Sequence, residues 1–165
     1  MNAQSSHADR LIALGIEAEK AGNLPEACAR YREAAAAAPG HAPAHLNLGI
    51  GLEATGDREG AMRAYEAALA IDPQEAYAGY NLAKLLLAGG QADRAEDLLR
   101  RALEHKPDFP EALVVLARVL ESRGDQAQAL SLLEAAMRAR PGYAGAAQNA
   151  GLLLKTARNS ASNQS

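Results

Sequence analysis

The sequence predicts an all-α solenoid of four helix-turn-helix repeats closed by a C-terminal helix, and three observations predict it. Four of the seven prolines, Pro39, Pro73, Pro107 and Pro141, stand 34 residues apart. Glycine keeps the same period at Gly22, Gly56, Gly90 and Gly124. Hydrophobic residues make up 48% of the chain, yet much of that share is alanine, with one Phe, five Tyr and no Trp. Small side chains let helices approach closely, whereas a single globular core of 165 residues draws on more aromatic bulk.

With proline as position 32, the repeats occupy residues 8–41, 42–75, 76–109 and 110–143, and residues 144–158 open a fifth unit as a capping helix. Columns not used to set this register agree with it. Position 20 is Ala27, Ala61, Ala95 and Ala129; position 27 is Ala34, Ala68, Ala102 and Ala136. Position 7 is leucine throughout, at Leu14, Leu48, Leu82 and Leu116. Position 8 is small, at Gly15, Gly49, Ala83 and Ala117, and position 24 is bulky, at Tyr31, Tyr65, Leu99 and Leu133.

Each column has a physical task. The glycine at position 15 ends the first helix of each repeat, helix A, in a left-handed conformation that other residues adopt only at a cost. Asn23, Asp57 and Asp125 follow as candidate N-caps of helix B, and Asn23 with Glu26 and Asp125 with Gln128 have capping-box spacing. Small residues at 8, 20 and 27 suit close crossings between helices, while leucine at 7 and tyrosine or leucine at 24 fill the remaining space. Proline at 32 cannot continue helix B, so the chain turns into the next repeat. The polar segments 1–7 and 159–165 are expected to be disordered.

This set of columns resembles the tetratricopeptide repeat family, over residues 8 to about 155. The family pattern has Leu-Gly at 7 and 8, Ala at 20 and 27, Phe at 24 and Pro at 32. This chain departs from it at position 4, where Leu11, His45, Gly79 and Leu113 replace tryptophan, and at position 11, where Ala18, Leu52, Leu86 and Leu120 replace tyrosine. The resemblance implies a right-handed superhelix whose A helices line a concave groove for a partner segment.

Groove positions carried over from the family give Ile12, Leu46, Tyr80, Val114 and Gln148 at position 5, and Ile16, Ile50, Lys84 and Arg118 at position 9. Tyr77 stands at position 2, and Asn47, Asn81 and Asn149 at position 6. Ile12, Ile16, Leu46 and Ile50, continuing into Tyr77 and Tyr80, would form an apolar strip, and such strips mark interaction sites unless a tail or a second copy covers them. The asparagines could grip an extended peptide backbone, as in the asparagine ladder of O-linked N-acetylglucosamine transferases, or could simply solvate their own helices. Lys84 and Arg118 could meet an acidic side chain or a terminal carboxylate. Of the two-carboxylate clamp found in chaperone cochaperones of this family, only Asn47 is present, which argues against binding of a chaperone tail.

Other chemistry has little footing. The formal charge is -3 and the basic residues are scattered among acids, so no basic stripe points to nucleic acid. Cys28 is the only cysteine, which leaves no intrachain disulfide and no cysteine-based metal site, and it reads as a small buried residue. His41 and His45 are four apart but lack a third ligand, so no metal is expected. Gly49-Ile50-Gly51 falls inside a helix and does not complete a dinucleotide fingerprint. No nucleophile-base pair and no phosphate loop appear, so neither an enzyme nor a cofactor is expected. No apolar run approaches the roughly 18 residues of a membrane span, and a cytoplasmic, bacterial protein without membrane association is the expectation.

The expected function is therefore that of a scaffold or adaptor binding a protein or peptide segment, as a monomer or weak homo-oligomer. Two alternatives stand beside it. One is the substrate-recruiting segment of a longer bacterial glycosyltransferase resembling the O-linked N-acetylglucosamine transferases; the other is a homo-oligomeric structural element.

Overall fold

The computed structural model describes the backbone of residues 3–162 and the side chains of residues 3–155. Those residues form α-helices joined by short turns: α1 (Ala3–Lys20), α2 (Leu24–Ala37), α3 (Ala42–Ala54), α4 (Arg58–Ile71), α5 (Ala76–Ala88), α6 (Ala92–His105), α7 (Pro110–Ser122), α8 (Gln126–Ala139) and α9 (Ala144–Ser162). The odd-numbered helices are the A helices and the even-numbered ones the B helices. The chain divides into two compact units, Met1–Leu85 and Leu86–Ser165.

The turns follow the local chemistry. Gly22, Gly56, Gly90 and Gly124 all have positive φ, between 76° and 87°, where an L side chain would be strained. Gly142 adopts the same conformation in the turn that Pro141 opens before α9, at a position where the columns did not call for glycine. Asn23, Asp57 and Asp125 accept backbone N–H groups three residues on, from Glu26, Gly60 and Gln128. Gln91 holds the same place before α6 without making a side-chain cap.

In the first unit α1 packs on α2 and α3 on α4, and α2 packs against α3. The small columns lie at these crossings: Ala27, Ala34, Ala61 and Ala68 are all essentially inaccessible. Tyr31 and Tyr65 fill the space between the helices of each hairpin. A Cβ at Gly15 would lie 2.4 Å from Tyr31 Cε1, and one at Gly49 would lie 2.4 Å from Tyr65 Cε1. Glycine at position 8 is thus the space that the tyrosine ring needs. In the second unit α7 packs on α6, α8 and α9, and α8 also meets α9. There Ala117 and Leu133 take positions 8 and 24, both buried.

Three expectations need correction. Residues 3–7, expected to be a disordered tail, belong to α1, and residues 159–162 belong to α9; residues 1–2 and 163–165 lie outside the described part. Leu14, assigned to interhelical packing, is 55% exposed. The reason is positional: Leu48, its equivalent one repeat on, packs against the core of the first hairpin, and among the described residues Leu14 has no corresponding core to pack on.

Candidate protein-interaction face

The A-helix face of the first unit is built by α1, α3 and the start of α5. Two of its apolar residues stand in solvent, Ile16 at 38% and Tyr77 at 46% exposure, while Leu46, Ile50, Tyr80 and Asn81 are half-buried. Ile12 does not join them. It is buried with Leu11, Ala8, Ala27 and Tyr31 in the core of the first hairpin, so it stabilises α1 against α2 and leaves little surface on the A face. Val114 in the second unit is likewise buried, within α7, whereas Arg118 and Gln148 are exposed. Position 5 therefore turns inward where α1 and α7 meet their neighbours and outward only elsewhere.

Two of the three asparagines act on their own helices. Asn47 Nδ2 donates to the Pro43 carbonyl at 2.8 Å, and Asn149 Nδ2 to the Gly145 carbonyl at 2.6 Å. Each solvates a first-turn carbonyl of an A helix. Each of these two carboxamides thus uses one N–H on its own helix and keeps its oxygen and second N–H.

Lys84 is engaged as well. Its ammonium lies 3.3 Å from Glu53 Oε1 and 5.4 Å from the centre of the Tyr80 ring. Glu53 in turn accepts from Tyr65 Oη at 2.9 Å, and Glu19 accepts from Tyr31 Oη at 2.8 Å. Burial, and then the neighbouring carboxylate, push both phenols well above the usual tyrosine value, so each remains a neutral donor that fixes its glutamate. Among the described residues no ion pair involves Arg118.

The two histidines separate. His41 Nε2 lies 2.9 Å from Asp9 Oδ1, joining the N-terminus of α3 to α1, and His45 Nε2 lies 3.0 Å from the Pro39 carbonyl. No group of three potential metal ligands occurs among the described residues. Cys28 is buried. Among the described residues no helix is long and apolar enough to cross a membrane.

The second unit holds a feature that the groove columns did not indicate. A cavity of about 380 Å³ opens between α6, α7 and α8, with Leu103, Leu113, Leu116 and Leu132 as its apolar lining and Arg100 and Glu104 among its polar residues. Nearby, Glu96 is held between Arg100 at 2.7 Å and Arg123 at 2.8 Å, which ties α6 to the C-terminal end of α7.

Family models described as tetratricopeptide repeat match residues 12–76, 52–119 and 86–150. The chain belongs to the tetratricopeptide repeat family. Among solved structures, PilF of Pseudomonas aeruginosa is 24% identical over 96% of this chain and 72% of its own, with a TM-score of 0.85. MamA from Desulfovibrio magneticus is 18% identical over 93% of this chain and 85% of its own, with a TM-score of 0.74. YrrB, a tetratricopeptide repeat protein with an unusual peptide-binding site, is 24% identical over 96% of this chain and 85% of its own, with a TM-score of 0.71. At these identities the likeness establishes the fold, an all-α helical repeat solenoid. No curated protein matches the sequence. Tetratricopeptide repeats are protein-interaction scaffolds, and that is the functional class of this chain.

Proposed function

We propose that the chain binds an extended or helical segment of a partner protein along the face of its A helices. The observation that carries this reading is the exposure of Ile16 and Tyr77 at two groove positions of the first unit. Large apolar side chains in solvent beside half-buried Leu46, Ile50 and Tyr80 form a surface that gains by losing water. Asn81 and Lys84 add polar groups along the same face of the first unit; the second unit has Arg118, Gln148 and Asn149 on its own A helices. Ile12 and Val114 are buried and add little surface to it.

The test is affinity capture from native lysate with the wild-type chain and with a variant carrying Ile16→Ser, Tyr77→Ser and Asn81→Ala. All three positions lie at least partly in solvent, so the variant should retain its helical circular dichroism. A partner that is captured by the wild type and lost with the variant supports the reading. An unchanged set of partners refutes it.

A further inference from the structure

The A face of the first unit carries the same carboxylate twice, once with a cation on it and once without. Glu19 and Glu53 both stand at position 12 of their repeats. Each uses Oε2 to accept the hydroxyl of the tyrosine at position 24, Tyr31 or Tyr65. On Glu53 the second oxygen, Oε1, is taken by Lys84 from position 9 of the following repeat. One repeat earlier that position is Ile50, an aliphatic residue. Lys20, the cation next to Glu19 in sequence, is turned to Glu17 at 2.9 Å, and among the described residues no ion pair reaches Glu19.

We infer that Glu19 receives a lysine or arginine side chain of the partner segment, in the place that Lys84 takes on Glu53, while apolar residues of that segment lie on Ile16 and Ile50. The inference rests on the reading that the A face binds a partner segment, and it adds the chemistry of that segment. Ile16 lies three residues before Glu19 in α1, so the two share one helix face. A basic side chain suits this juxtaposition because its aliphatic stem covers apolar surface while its charged head reaches the carboxylate. Glu19 is also oriented in advance by Tyr31, so little freedom is lost when the cation arrives. The partner is thus a basic and apolar segment, the opposite of an acidic tail.

The probe is a displayed library of random linear peptides selected on the intact chain, followed by fluorescence anisotropy with synthetic copies of the selected sequences. Selected peptides should pair Lys or Arg with apolar residues more often than the unselected library. Glu19→Gln keeps an acceptor for Tyr31 and removes the charge; it should weaken such a peptide about three- to fivefold at low salt, the effect of one exposed ion pair. Ile50→Lys builds the Lys84 arrangement onto Glu19 from within and should weaken it similarly. Circular dichroism confirms that both variants remain folded. An absence of basic enrichment, or equal affinity for wild type and Glu19→Gln, overturns the cation site. If the selected peptides are apolar without Lys or Arg and are lost on Ile16→Ser, the cation site falls and the binding face stands. If no peptide is selected at all, both readings fail.

Discussion

The second hairpin of the first unit and the hairpin of α7 and α8 in the second build the same crossing with different side chains. In the former, Gly49 faces the ring of Tyr65; in the latter, Ala117 and Leu133 hold the two equivalent positions. The larger residue at 24 goes with the smaller one at 8, as expected where interior volume is conserved. The consequence extends beyond packing. Tyrosine brings a hydroxyl that leucine lacks, and that hydroxyl reaches Glu53 on the A face. The first unit therefore couples its core to its surface chemistry, and the α7–α8 hairpin has no equivalent link from Leu133.

This contrast can be broken by mutation. The largest effect is expected from emptying position 24: Tyr65→Ala should lower stability by about 3–5 kcal/mol and Leu133→Ala by about 2–5 kcal/mol, read from urea unfolding followed by circular dichroism. Swapping position 8 comes next. Gly49→Ala puts a methyl into a ring that is fully buried and should cost about 1–3 kcal/mol, whereas Ala117→Gly should cost only about 0.5–1 kcal/mol. Tyr65→Leu introduced together with Gly49→Ala should restore part of the loss, and strict additivity in that double-mutant cycle would show that the two positions are not coupled.

The hydroxyl sharpens the comparison through pH. Both buried phenols titrate above their unfolded value, so the folded state holds these protons more tightly than the unfolded chain does. Their contribution is fully present below the unfolded tyrosine value of about 10 and is lost as pH rises above it. Unfolding midpoints should fall beyond about pH 10, and fall less steeply in the Tyr31→Phe, Tyr65→Phe double variant. A slope unchanged by that variant would remove the tyrosines from the alkaline response. The smallest effect concerns capping: Gln91→Asp should supply the missing cap of α6 and raise stability by about 0.5–1 kcal/mol, measured as an upward shift of the thermal midpoint.

Features that depend on a few neighbouring residues were legible in the sequence. The positive φ of Gly22, Gly56, Gly90 and Gly124, and the caps made by Asn23, Asp57 and Asp125, follow from backbone sterics and short-range hydrogen bonds. The alanine columns also turned out where expected, because a period shared by four repeats reports a shared crossing. Side-chain direction at the face was less legible. Ile12 and Leu46 share position 5, yet Ile12 is buried and Leu46 half-exposed, since the neighbours on either side of each repeat differ. The hydrogen bonds of Asn47 and Asn149 to the Pro43 and Gly145 carbonyls were likewise not legible, because an asparagine at that position can face its own helix or solvent.

The sequence by itself determined the repeat, its period, its turns and the membership of each residue in helix A or B, because these are set locally and repeated. Tertiary structure decided which of those residues remain available to a partner. Burial depends on what packs alongside, and end repeats and middle repeats have different neighbours even when their sequences match. It also decided that Lys84 is in an ion pair with Glu53, while among the described residues Glu19 has no cation: the Lys84 pairing joins residues 31 apart on two helices, a distance that no local pattern encodes.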